Sequence, residues 1–309
     1  MKTVFLFPGY MSQSVGMAKE LYDQHRVVQE YFEEASNCLN INFVRLCFAS
    51  SEAELARPEH AFPAIFLVSC SIAALVRQEG ISPDCVAGYG IGMLSALQVA
   101  GAINFPDGLY FLSKYAHFLQ ELPIHSLIAS ATIGDIDVPG VADWLAAVGD
   151  DAAAITAIQG DNHCVIVGGT ATIEAARQWV HEQKGTFKRE PNSYALFSWA
   201  AKPAVEQLRA YCEKIDFNAA TIPVISQLDG SLYNAGEIVR TQLLDTLTKP
   251  LRLDLIMQHC AVYNRIISCG PSTFIGNIAY QWYGDKQQHT VNTSVDLETI
   301  KKEINTTVA

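Results

Sequence analysis

The chain has 309 residues, half of them hydrophobic and only 17% charged, a composition that excludes a disordered or fibrous protein and suits one large domain, or a large one with a smaller insert. Lys and Arg total 21 against 32 Asp and Glu, a net charge of −11, which argues against general attraction to nucleic acid or to an anionic membrane; a polyanionic partner needs a local basic patch. The eight cysteines form no C-x-x-C pair and no leader precedes the first apolar run, so the expected setting is a reducing cytoplasm with buried free thiols.

Lys2–Phe7 reads as a buried strand ending at Phe7-Pro8-Gly9. Helical spacing covers Val27–Leu39, and Glu59–Glu79 reads as a mostly buried helix in which Pro63 is tolerated only in the first turn. Cys85–Pro106 contains no charged residue and is long enough to span a bilayer. Gly88, Gly90 and Gly92 in it imply a tight turn whose backbone groups would go unpaired in lipid. A buried strand at 84–88, a glycine turn and a helix over Met93–Ala102 fit better, followed by a helix over Asn104–Glu121.

From His125 the expected order is strand 126–133, helix 138–148, strands 152–158 and 163–167, helix 170–184 and strand 186–189. This β-α-β-β-α-β order is the ferredoxin-like split unit. It divides the chain into a large domain (1–124 and 196–309) and an insert (125–195). Helices over 199–214, 237–247 and 251–260 then alternate with strands at 222–226 and 265–268, the pattern of a mainly parallel sheet covered on both faces. The fold class is therefore α/β.

Val86–Leu97 reads V-A-G-Y-G-I-G-M-L-S-A-L. A strand, glycine-flanked turn and helix in this order is the setting of a nucleophile elbow, where one side chain stands exposed above a helix N-terminus. The residue at the tip is Gly90, so the elbow lacks its nucleophile.

With this motif the chain resembles the malonyl-CoA:acyl carrier protein transacylase family, the acyltransferases of fatty-acid and polyketide synthesis. The stretch from Phe7 to Met17 follows the family's F-P-G-Q-G-S-Q-x-x-G-M opening, Gly88–Met93 with Ser95-Ala96-Leu97 follows its G-H-S-x-G-E elbow, and Lys202-Pro203-Ala204 and Gly270-Pro271 match later landmarks. The resemblance implies an α/β-hydrolase-like large domain with a parallel sheet and a ferredoxin-like insert. It also implies an acylated serine at position 90, a histidine base at 197 and a carboxylate-binding arginine at 115; this chain has Gly90, Phe197 and Tyr115.

Tyr10 and Phe62 replace family glutamines, Tyr89 the elbow histidine and Met93 the elbow glutamate, and Gln227 aligns with an asparagine that orients the base. Gly9, Gly90, Ile91 and Gln227 make up the expected cleft together with a ring of Tyr10, Phe62, Tyr89, Tyr115 and Phe197. Ordinary covalent transacylation is not expected.

What the resemblance implies is a binding protein of fatty-acid or polyketide synthesis, with an acyl carrier protein, a ketosynthase or an active acyltransferase as partner, or an apolar acyl or polyketide ligand. Lys184, Lys188 and Arg189 are the candidate basic patch for an acidic carrier. The alternative is an enzyme with altered, non-covalent chemistry, for which His117 and His163 are the candidate acid/base groups; a further alternative is transfer through another nucleophile, Ser95 or Ser198. Cys70 and Cys164 read as buried apolar residues. No residue spacing suggests a metal, and the glycine run lacks a P-loop lysine, so no cofactor is expected.

Overall fold

The computed structural model describes residues 1–190, 194, 196–271, 274–284 and 287–308. The first part of the chain forms β1 (Thr3–Phe7), α1 (Lys19–Gln24), α2 (Arg26–Leu39), α3 (Phe43–Ala49), α4 (Glu52–Leu55), α5 (Pro58–Gln78), β2 (Cys85–Gly88), α6 (Gly92–Val99) and α7 (Phe105–Gln120). The middle forms β3 (Ile128–Gly134), α8 (Val138–Val148), β4 (Ala154–Gly160), β5 (His163–Gly169), α9 (Thr170–Glu182) and β6 (Thr186–Arg189). The last part forms α10 (Lys202–Cys212), β7 (Val224–Ile225), β8 (Leu232–Tyr233), α11 (Gly236–Thr246), β9 (Leu251–Arg252), α12 (Leu253–Cys260), β10 (Arg265–Cys269), α13 (Phe274–Tyr283), β11 (Gln287–Val291) and α14 (Ser294–Val308).

Six strands in the order β11-β10-β1-β2-β7-β8 make the large sheet, parallel throughout except for β8. β1 is buried at every position because both faces of this sheet are covered: Phe5 and Phe7 join one core, Val4 and Leu6 the other. A strand covered on both sides has no polar face, so it reads as a continuous apolar run. The uncharged stretch that follows Asp84 is β2, a turn, α6 and the start of α7, buried nearly throughout. Asn104, near the end of the run, caps α7, its Oδ1 accepting from the Asp107 N–H at 2.8 Å.

The second sheet has the order β6-β3-β5-β4-β9. Strands β3 to β6 with α8 and α9 carry the β-α-β-β-α-β order, and their antiparallel pairing places β3 centrally between β5 and β6. Alternate residues of this sheet, among them Ala131, Ile133, Cys164 and Ile166, pack under the two helices. The expected boundary at 195 lies outside the described residues.

Three expectations are corrected. The helix expected over 251–260 starts with β9, which pairs in parallel with β4 (Ala157 opposite Leu251, Ile158 opposite Arg252), so the small sheet takes its edge strand from a distant part of the chain. Pro63 lies in the second turn of α5, because that helix begins at Pro58. There it leaves the Glu59 carbonyl without a backbone donor, and the continuous burial of 61–73 holds the helix across the defect. β11 and α14 follow the last expected strand; two-residue strands and amphipathic end segments carry little periodic signal.

Candidate functional site

The site starts where β2 turns into α6. Tyr89 N–H donates to the Phe7 carbonyl at 2.9 Å, which fixes the turn over the end of β1. Backbones approach so closely here that a Cβ on Gly88 would sit 2.2 Å from the Gly92 carbonyl carbon, and one on Gly92 would sit 2.4 Å from the Phe7 oxygen. These two glycines serve the packing of the elbow. Gly90 serves its conformation, with φ at +61°, the left-handed region that costs a residue with a side chain about 1–2 kcal/mol.

Both backbone groups of Gly90 are held by one side chain. Its N–H donates to Gln227 Oε1 at 2.7 Å, and Gln227 Nε2 donates to its carbonyl at 3.1 Å. Gln227 is fully buried, and its own carbonyl accepts from Arg252 N–H at 2.8 Å, at the β9 edge of the small sheet. The amide of Gln227 therefore clamps the elbow itself and does not orient a base. Phe197 closes the site from the opposite side: a Cβ on Gly90 would lie 3.0 Å from its Cζ and 3.2 Å from its Cε2. Phe197 itself sits at φ +58°, a strained position for a bulky residue.

The elbow opens into a cleft of about 340 Å³ between the two sheets. Gly9, Tyr10, Tyr89, Gly90, Phe197 and Phe274 line one side. The opposite wall is the helix-free face of the small sheet: Ser130 and Thr132 of β3, Val165 and Val167 of β5, Thr156 and Gln159 of β4, and Lys188 and Glu190 on or just after β6. On β3, β5 and β6 the i, i+2 spacing follows from the strand period, which sends the residues between them under α8 and α9, while on β4 register shifts at 155–157 and 158–160 break the alternation, so that Thr156, Ala157 and Gln159 all face the cleft.

Two polar links cross this wall. Gln159 Nε2 donates to the Tyr89 hydroxyl at 3.2 Å, and Thr132 Oγ1 donates to Glu190 Oε1 at 2.7 Å. Burial, with the Glu190 carboxylate nearby, pushes the Tyr89 phenol up to about 12, so it is a hydrogen-bond donor throughout the neutral range.

The acyl transferase domain family matches residues 4–294. The chain belongs to this family. It is 30% identical over 281 residues to the malonyl CoA-acyl carrier protein transacylase of Bacillus subtilis (strain 168), an alignment covering 89% of this chain and 86% of that protein. The acyl-carrier-protein S-malonyltransferase of Burkholderia pseudomallei 1710b is similar in structure, with a TM-score of 0.92 at 27% identity over 98% of this chain and 100% of that one. A malonyl-transacylase solved in complex with its type II polyketide synthase acyl-carrier protein shares the fold, with a TM-score of 0.92 at 23% identity over 98% of this chain and 100% of that one.

On this acyltransferase fold the expected aromatic ring of the cleft is only partly assembled. Tyr10, Tyr89 and Phe197 line the cleft; Phe62 and Tyr115 are fully buried behind it and so do not. Tyr10 meets Phe62 edge-on at 5.4 Å and Phe62 meets Tyr115 at 5.9 Å, so the two rings fill the space behind the floor as core. The Tyr115 hydroxyl has no hydrogen-bond partner among the described residues, and burial pushes its phenol far above the usual tyrosine range. Ile91 is likewise core, and Met93 Sδ accepts from the Tyr233 hydroxyl at 3.2 Å.

His117 and His163 are corrected as acid/base candidates. His117 lies exposed on α7 beside Glu121 at 3.4 Å, and His163 is exposed at the start of β5; neither lines the cleft. Ser95 is buried inside α6, and Ser198 caps the short turn Trp199–Ala201 by accepting from the Ala200 N–H at 3.3 Å. The thiols of Cys70 and Cys164 are buried and pushed upward by desolvation, the latter to about 11. Arg189 is paired with Glu174 at 3.0 Å, whereas Lys184 and Lys188 are exposed.

Sequence reasoning passed over Glu190, Gln159, Thr132 and Phe274. The first three follow from strand alternation once the helix-free face is known to meet the elbow; Phe274 carries no local signal.

Proposed function

We propose that this chain is a catalytically inactive acyltransferase-fold protein: it forms no acyl-enzyme and acts in fatty-acid or polyketide synthesis by binding. The observation that carries the reading is Gly90 at the elbow tip, at φ +61° with the Phe197 ring 3.0 Å from where a Cβ would be. Covalent transfer needs a side-chain atom to accept the acyl group and a base to activate it. Gly90 offers no such atom, Phe197 cannot take a proton, and losing either function costs on the order of 10⁶ in kcat in a serine hydrolase. The buried Tyr115 supplies no charge to pair with a malonyl carboxylate.

The partner is an acyl carrier protein, the class named in the relatives' own activity. Docking of an acidic carrier would use Lys184 and Lys188 on the unit we take as 125–195, inserted into a large domain of 1–124 and 196–309, in a reducing cytoplasm. A ketosynthase or an active acyltransferase is the alternative partner.

The test is incubation with malonyl-, acetyl- and longer acyl-CoA followed by intact-mass measurement. No added mass is expected, and a stoichiometric acyl adduct would overturn the reading.

A further inference from the structure

A second cluster of aromatic and basic side chains lies outside the cleft, where α7 packs against α10. Tyr110, Lys114 and Phe118 follow one another at four-residue spacing on α7 and so share one of its faces; Tyr211 of α10 and Lys214 just beyond it complete the group. The Tyr211 ring lies 6.0 Å from that of Tyr110 and 5.4 Å from that of Phe118. Lys114 Nζ lies over both tyrosines, 5.5 Å from the Tyr110 centroid and 5.3 Å from that of Tyr211, and Lys214 Nζ lies 5.4 Å from the same Tyr211 centroid.

Neither ammonium has an ion pair among the described residues. The acids of the two helices are engaged elsewhere: Asp107 accepts from the Asn104 side chain at the start of α7, and Glu206 holds Arg209. Glu121, just past α7, stands beside His117, and Glu213, next to Lys214 in the chain, is exposed and makes no ion pair with it. A ring face engages only one side of an ammonium, so the outward N–H groups of both lysines are left to solvent. Held over the rings, these side chains lose little further freedom when an anion arrives.

Charge and spacing decide what fits. A net charge of −11 repels an acidic partner except at a local basic patch such as this one. Both ammonium groups lie within 5.4 Å of one centroid and so are no more than twice that distance apart. Carboxylates at i and i+4 or i+7 of an α-helix, about 6 and 10.5 Å apart along its axis, fall within that span.

We propose that the face formed by Tyr110, Lys114, Tyr211 and Lys214 docks an acidic amphipathic helix of a partner protein, two of whose carboxylates meet the two ammonium groups while an apolar side chain between them rests against the tyrosine rings. This surface is separate from the cleft and from carrier docking at Lys184 and Lys188, so acyl-mass measurements on the elbow leave it untouched.

The test is fluorescence anisotropy of a labelled, alanine-based helical peptide with Glu at i, i+4 and i+7 and Leu at i+3, titrated with the full chain at low salt; its control has Gln in place of each Glu. The Glu peptide should bind about three- to tenfold tighter, the worth of two exposed ion pairs, and the difference should shrink as salt is added. Lys114→Gln with Lys214→Gln should remove the difference while circular dichroism stays native. Equal affinity of the two peptides, an unchanged preference in the lysine variant, displacement by inorganic tripolyphosphate as effective as by unlabelled Glu peptide, or no binding of either peptide would overturn the inference.

Discussion

Placing a side chain at position 90 tests the elbow directly. Gly90→Ala puts a methyl carbon 3.0 Å and 3.2 Å from two atoms of the Phe197 ring and holds an L-residue at φ +61°. The backbone term costs about 1–2 kcal/mol, and forcing the ring aside adds about 1–3 kcal/mol of overpacking. The single variant should therefore lose roughly 2–5 kcal/mol in urea unfolding followed by circular dichroism. Phe197→Ala removes the ring, at a cost of up to about 3–5 kcal/mol for a phenylalanine in a core. In the double variant only the backbone term of Gly90→Ala is left. The double-mutant cycle should thus show the pair less destabilised than the sum of the singles by about 1–3 kcal/mol. Additivity within about 0.5 kcal/mol would refute the contact between ring and elbow. The same geometry predicts that Gly90→Ser alone stays unacylated by malonyl-CoA, read as no acyl mass on the variant, because Phe197 offers it no base.

Gln227→Ala strips the partner from a buried N–H and a buried carbonyl of Gly90 and should cost about 2–4 kcal/mol in the same urea assay; a loss under about 0.5 kcal/mol contradicts the clamp. Tyr115→Phe removes a hydroxyl buried without a partner among the described residues, so stability should be unchanged or rise by up to about 1 kcal/mol, and a clear loss would mean that the hydroxyl has a role in the core. Asp150 accepts from Thr172, Ala152 N–H and Gly169 N–H, and these bonds hold its carboxyl below the usual range. A lowered folded-state value stabilises above the unfolded value and is lost as pH falls through the folded one, so melting temperature should decline below about pH 4, and more shallowly in Asp150→Asn. Lys184→Glu with Lys188→Glu should abolish binding of an acyl carrier protein in calorimetry at low salt; unchanged affinity would move the docking surface elsewhere.

How much was legible along the chain depended on how local each cause is. β1 and β2 read correctly because a strand covered on both faces is apolar at every position, and the elbow read correctly because Gly88 and Gly92 answer to backbone contacts within a few residues and at the end of β1. The order of β3 to β6 with α8 and α9 was equally plain, since each element carries its own period. β9 was hidden inside a helical pattern: two residues have no period, and what makes them a strand is β4, nearly a hundred residues away.

The sequence by itself determined the α/β class, the β-α-β-β-α-β unit and a glycine where an acyl-accepting side chain would stand, because these depend on local pattern and residue chemistry. The tertiary structure alone decided which aromatic rings meet the cleft and which fill the core behind it. It turned Gln227 from an expected cleft residue into a buried clamp on Gly90, and it set Tyr89 and Glu190 on opposite sides of one cleft while leaving His117 and His163 outside. Those outcomes depend on which sheet faces pack together, and residues far apart in the chain acquire a shared environment only when the two sheets close around the cleft.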